Sequence, residues 1–104
     1  MRCSRIGTRV QRVDAIVSRT VLIVDDHPSF RASARRMLEG EGYLVVGEAA
    51  DGAEALRAAR ELEPEVILLD VRLPDLDGFA VARRITGRTA APAVILISSR
   101  EVNE

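Results

Sequence analysis

Three aspartates stand where apolar runs end: Asp25 and Asp26 follow Val21-Leu22-Ile23-Val24, and Asp70 follows Val66-Ile67-Leu68-Leu69. Unbroken apolar runs bounded by charge read as strands buried on both faces, the pattern of a parallel sheet, because a half-exposed strand would alternate. Acids gathered at one rim of such a sheet repel one another, and a hard divalent cation with oxygen ligands is the natural way to hold them together. Mg²⁺ commonly takes one or two carboxylates with water and a phosphate oxygen. One carboxylate could then act as a nucleophile toward a phosphoryl donor and form an acyl phosphate. Asp70, central and followed by the turn-rich Pro74-Asp75-Leu76-Asp77-Gly78, is the candidate nucleophile. A single aspartate after a strand would serve as a helix cap or loop acceptor, whereas three together point to a functional cluster.

The elements that must position these acids alternate along the chain. After the first apolar run, Pro28 suits a first helical turn, and Phe30, Ala34, Met37 and Leu38 follow at helical spacing until Gly40 and Gly42. A second strand is predicted from Tyr43 to about Gly47. Asp51-Gly52-Ala53-Glu54 then has the form of a capping box, opening a helix that packs through Ala55, Leu56, Ala59 and Leu62. Pro64 ends that helix before the third strand, Val66–Leu69, and a third helix packs through Phe79, Ala82 and Ile85 up to Gly87. Ala93–Ile97 is a fourth buried strand. Parallel strands joined by right-handed helical crossovers make a doubly wound α/β fold. In the flavodoxin-like strand order 2-1-3-4-5, strands one and three are neighbours at the topological switch point, where ligands bind at carboxyl ends. Asp25, Asp26 and Asp70 fall at those ends.

Composition frames this reading. The chain has 104 residues, 47% of them hydrophobic, enough for one domain with a modest core. Its one cysteine, Cys3, has no partner within the chain, which suits a reducing cytoplasm. No apolar stretch approaches the roughly 20 residues needed to span a bilayer, and residues 1–20 lack the apolar block of a secretory signal. Residues 1–20 carry five arginines against Asp14, whereas the remainder carries ten arginines against fifteen acids. Residues 1–19 therefore read as a basic N-terminal leader, disordered or a short helix with Ile6, Val10, Val13 and Val17 on one face, and no function is assigned to it.

Neighbouring residues have plainer roles. His27 reads as a loop or cap residue beside a helix opened by Pro28, outside the chemistry. Asp75 and Asp77 read as turn and cap residues, and Gly78 as the residue that permits a tight turn and close helix packing. Gly40, Gly42 and Gly47 have neither Walker nor dinucleotide-binding spacing.

Val21-Leu22-Ile23-Val24-Asp25-Asp26-His27-Pro28, Val66-Ile67-Leu68-Leu69-Asp70-Val71-Arg72-Leu73-Pro74-Asp75-Leu76-Asp77-Gly78 and Val94-Ile95-Leu96-Ile97-Ser98-Ser99 resemble the first, third and fourth strands of response-regulator receiver domains. The three motifs occur in order at matching spacing, from residue 20 to about 99, and His27-Pro28 is most similar to the NarL/FixJ subfamily, whose members usually append a helix-turn-helix DNA-binding domain. The resemblance implies a CheY-like receiver module of a two-component phosphorelay. Asp70 would be the phosphoacceptor, charged by a sensor histidine kinase, and Asp25, Asp26, Asp70 and the main-chain carbonyl of Arg72 would hold Mg²⁺. Ser98 would be the phosphate-sensing hydroxyl. Such a module is a regulatory phosphoacceptor in the cytoplasm, not a turnover enzyme.

The chain departs from the family pattern at its end. It stops at Glu104 and contains no lysine, so the family's phosphate-pairing lysine, fifth strand and last helices are missing. The expectation is an incomplete receiver over residues 20–104, strand order 2-1-3-4, without a DNA-binding domain. Its fourth strand would be an apolar edge prone to self-association. The alternative function is a receiver remnant that serves as a non-phosphorylated binding module. A phosphatase of the haloacid-dehalogenase type is poorly supported, because Asp70-Val71-Arg72 lacks a second acid two residues on.

Overall fold

The computed structural model describes residues 19–88 and 90–98, so the leader up to residue 18 and Ser99 lie outside the described residues. Seven elements follow in order: β1 (Thr20–Val24), α1 (Pro28–Gly40), β2 (Leu44–Ala49), α2 (Gly52–Leu62), β3 (Val66–Asp70), α3 (Gly78–Thr86) and β4 (Ala93–Ile97). The strands form one parallel sheet in the order β2-β1-β3-β4, a doubly wound, flavodoxin-like arrangement with four strands among the described residues.

Both faces of the sheet are covered, which explains the unbroken apolar runs. Leu22, Val24, Ile67 and Leu69 pack with Ala55 and Ala59 of α2 and Val81 and Ile85 of α3. Val21 and Ile23 face the other way, toward Ala34 of α1, with Phe30 and Leu38 beside them. A strand sandwiched in this manner needs apolar side chains at odd and even positions alike. An irregularity between Val21 and Leu22 shifts the pairing with β2, so that Val21 lies opposite Val45 but Leu22 lies opposite Gly47 and Ile23 opposite Glu48. The extra residue, Val46, reverses which face the following side chains take. It therefore turns Glu48 toward α1.

Helix ends follow the sequence closely. Asp51 accepts from the Glu54 amide at 2.8 Å, while the Glu54 carboxylate reaches back to the Ala50 amide at 2.8 Å, one residue earlier than a strict capping box. Asp77 caps α3 through the Phe79 amide at 3.1 Å. Asp75 caps a different helix: its carboxylate accepts from the amides of Gly52 at 2.7 Å and Ala53 at 3.0 Å, tying the β3–α3 loop to the start of α2. Packing departs from the periodicity at three positions. Met37, Leu62 and Phe79 are exposed, and Val81 takes the buried place on α3. Each lies at the border of its apolar stripe, where a small rotation of the helix decides between core and solvent.

Candidate functional site

Register brings the strand-end acids together. Val24 lies opposite Leu69 across β1 and β3, so the residues that follow β1 stand level with Asp70 at the carboxyl rim. Asp25 and Asp70 are fully buried, and the Asp26 side chain is 27% exposed. Each of Asp25, Asp26, His27 and Asp70 offers one ligand atom, and these atoms all lie within 4.8 Å of one another. Ligands on opposite sides of one Mg²⁺ are roughly 4.2 Å apart, from metal–oxygen distances near 2.1 Å, so a small contraction would close the set around an ion. Three of the four donors are carboxylates, the hard oxygen ligands this ion selects, and the donor set fits it. The imidazole is the member that suits Mg²⁺ least.

Local backbone geometry aims these groups. His27, extended ahead of Pro28, occupies the N-cap position of α1 without a side-chain cap bond. Its amide donates to Asp25 Oδ1 at 2.8 Å, and its ring turns back over the acids, with Nδ1 at 2.8 Å from Asp25 Oδ1 and 3.1 Å from Asp26 Oδ1. Toward an ionised carboxylate, which only accepts, Nδ1 would be the donor of this pair. His27 thus belongs to the cluster as well as standing at the cap position, whereas its sequence context pointed to a loop or cap role alone. The proline after it was a partial signal, since it biases His27 toward the extended backbone seen here.

Asp70 ends β3 and accepts from the Arg72 amide at 3.1 Å. Val71 donates to the Ile97 carbonyl at 2.9 Å, and Gly78 donates to the Val71 carbonyl at 3.0 Å, so the loop folds back on the strand. A Cβ on Gly78 would stand 2.5 Å from the Asp70 carbonyl oxygen, closer than packing allows. Glycine is required there by this close approach. Arg72, an exposed residue, forms an isolated bridge with Asp77. Ser98 directly follows β4, whose Ile97 pairs with Asp70, and is exposed at the same rim.

A second layer lies behind Asp25. Its amide donates to the Ala49 carbonyl at 3.0 Å, and its carbonyl accepts from Arg31 Nη1 at 2.6 Å. Arg31 Nε also donates to Glu48 Oε1 at 3.0 Å, and Arg35 Nε to Glu48 Oε2 at 2.8 Å. These cations, Arg35 foremost, hold the Glu48 carboxyl below its ordinary value. Nothing in the sequence singles out Arg31 or Glu48, because their meeting depends on the irregular residue in β2.

The model of the response regulator receiver domain matches residues 21–104. This chain belongs to that family. As a receiver it is a regulatory module of the two-component type, in a family not associated with catalytic turnover beyond its own phosphorylation. Transcriptional regulatory protein PdtaR of Mycobacterium tuberculosis is 41% identical over 93 residues, covering 88% of this chain and 45% of that relative. The receiver thus spans less than half of that protein. A two-component response regulator of the LuxR family from Aurantimonas superposes with a TM-score of 0.75 at 35% identity, covering 82% of this chain and 61% of that one. The CheX-CheY-BeF3-Mg+2 complex from Borrelia burgdorferi gives 0.73 at 29% identity, with coverages of 78% and 62%. No helix among the described residues is long and apolar enough to cross a membrane.

Proposed function

We propose that this receiver accepts a phosphoryl group from a sensor histidine kinase on Asp70, with Mg²⁺ bound at the neighbouring acids. The observation that carries the reading is the convergence of Asp25, Asp26 and Asp70 at one rim, with ligand atoms within 4.8 Å. Mg²⁺ there would offset the charge of the acids and of the phosphoryl oxygens. Asp25, Asp26 and Asp70 would hold it through carboxylate oxygens, joined by the main-chain carbonyl of Arg72, while His27 keeps the Asp25 carboxylate oriented through its amide and Nδ1. The Asp70 carboxylate attacks phosphorus as the bond to the donor breaks, giving an acyl phosphate. Ser98, at the end of β4, is the hydroxyl that senses the added group. The Mg+2 of the Borrelia burgdorferi CheX-CheY complex supports the same cofactor here.

Partners follow from this reading. The histidine kinase is the phosphodonor, and the cytoplasm is the compartment. Half-exposed Ile95 and exposed Leu96 on β4 support self-association through that strand. A non-phosphorylated interaction module is the second reading, favoured by that same strand.

The test is incubation of the chain with Mg²⁺ and acetyl phosphate, followed by intact mass measurement. A phosphate increment that disappears in Asp70→Asn and on chelation of the metal is expected. A folded wild-type chain that gains no increment would favour the interaction module.

A further inference from the structure

Arg31 is the residue through which the frame of the fold reaches the acid cluster. Its guanidinium is mostly shielded, with 17% of the side chain exposed, and it donates in two directions. Nη1 meets the Asp25 carbonyl at 2.6 Å, and Nε meets Glu48 on β2 at 3.0 Å. The Asp25 carbonyl belongs to the planar peptide unit that joins Asp25 to Asp26. Fixing its oxygen therefore restrains ψ of Asp25 and φ of Asp26, two of the torsions that set how both carboxylates leave the backbone. Glu48 is itself held from its other oxygen by Arg35 at 2.8 Å, so the guanidinium that grips the peptide is anchored to two elements.

We propose that Arg31 is a positioning residue for the metal site, setting the orientation of the Asp25-Asp26 peptide and hence the affinity of both carboxylates for Mg²⁺. The inference rests on the phosphoacceptor reading above. Its sign separates it from simple electrostatics. A cation close to the site repels Mg²⁺, so if charge were all that mattered, removing Arg31 would tighten binding. Loss of orientation weakens it instead, because groups that hold metal ligands in place typically account for 10- to 100-fold in affinity. Arg35 supplies the control. It shares Glu48 with Arg31 but donates from Nη1 to Glu39, within its own helix, at 3.2 Å.

Mg²⁺ affinity of the full chain, measured by calorimetry and by titration of the Asp25 and Asp26 amide resonances, tests the proposal. Arg31→Gln is expected to bind Mg²⁺ about 10-fold or more weakly, whereas Arg35→Gln binds as the wild type does or slightly tighter. Arg31→Lys keeps the charge but cannot span both acceptors, and is expected to fall between; it decides the matter if Arg31→Gln does not fold. Equal or tighter binding in the folded Arg31 variants would overturn the proposal, as would equal weakening in Arg35→Gln. A wild-type chain that does not bind Mg²⁺ would instead contradict the phosphoacceptor reading itself.

Discussion

At Gly78 the backbone of α3 meets the backbone of β3, and a methyl group there would collide with the Asp70 carbonyl oxygen at 2.5 Å and with Val71 Cα at 2.6 Å. Neither neighbour can move without moving Asp70. Gly78→Ala is expected to destabilise the fold by about 1–3 kcal/mol, the usual cost of overpacking, read as a lower urea midpoint. An unchanged midpoint would show that the loop yields freely. The aspartates were legible in the sequence because each follows an unbroken apolar run, and strand ends are where such runs must stop. Gly78 was legible as a tight-packing position, though not the atom it packs against. His27 was not legible as a member of the cluster, since its ring direction depends on the backbone set by Pro28 and on the acids it faces. The sequence shows the proline and the acids but not the angle between them.

Among the elements, α1 is joined to β2 by Glu48, which accepts from both Arg31 and Arg35. The Glu48 carboxyl lies below its ordinary value of 4.5, chiefly through the Arg35 hydrogen bond and secondarily through Arg31, against an opposing effect of burial. A group depressed in the folded state contributes stability that is fully present above its unfolded value and is lost as pH falls through the folded one. Thermal stability should therefore decline as pH drops below 4.5, and Glu48→Gln should make that decline shallower. An identical acid limb in wild type and variant would contradict the linkage. Strands and helices were themselves legible, because the apolar periods of the two differ. The link between α1 and β2 was not, since one irregular residue, Val46, reverses the face of Glu48 and no local pattern announces it. Met37, Leu62 and Phe79 were misread as packing residues for a related reason: helix rotation is fixed by the sheet beneath and not by spacing alone.

At the scale of the whole molecule, among the described residues, the central strands β1 and β3 are covered on both sides, but β4 is not. Its Ile95 is 50% exposed, opposite Leu68 on the face shared with α1. An apolar edge strand favours pairing with another chain. Ile95→Lys is expected to shift sedimentation toward the monomer, and a wild-type chain that is monomeric at all concentrations would contradict association through β4. The exposure follows from the sheet order, which the strand-helix alternation already implied; the side of the sheet left bare required coordinates. At the carboxyl rim the fold concentrates three acids, and locating the phosphoryl group tests their role most directly. After reaction of wild-type chain with acetyl phosphate and Mg²⁺, hydroxylamine should convert an acyl phosphate into a hydroxamate that peptide mass mapping assigns to Asp70. Modification at any other residue, or none in the folded protein, would contradict Asp70 as the phosphoacceptor.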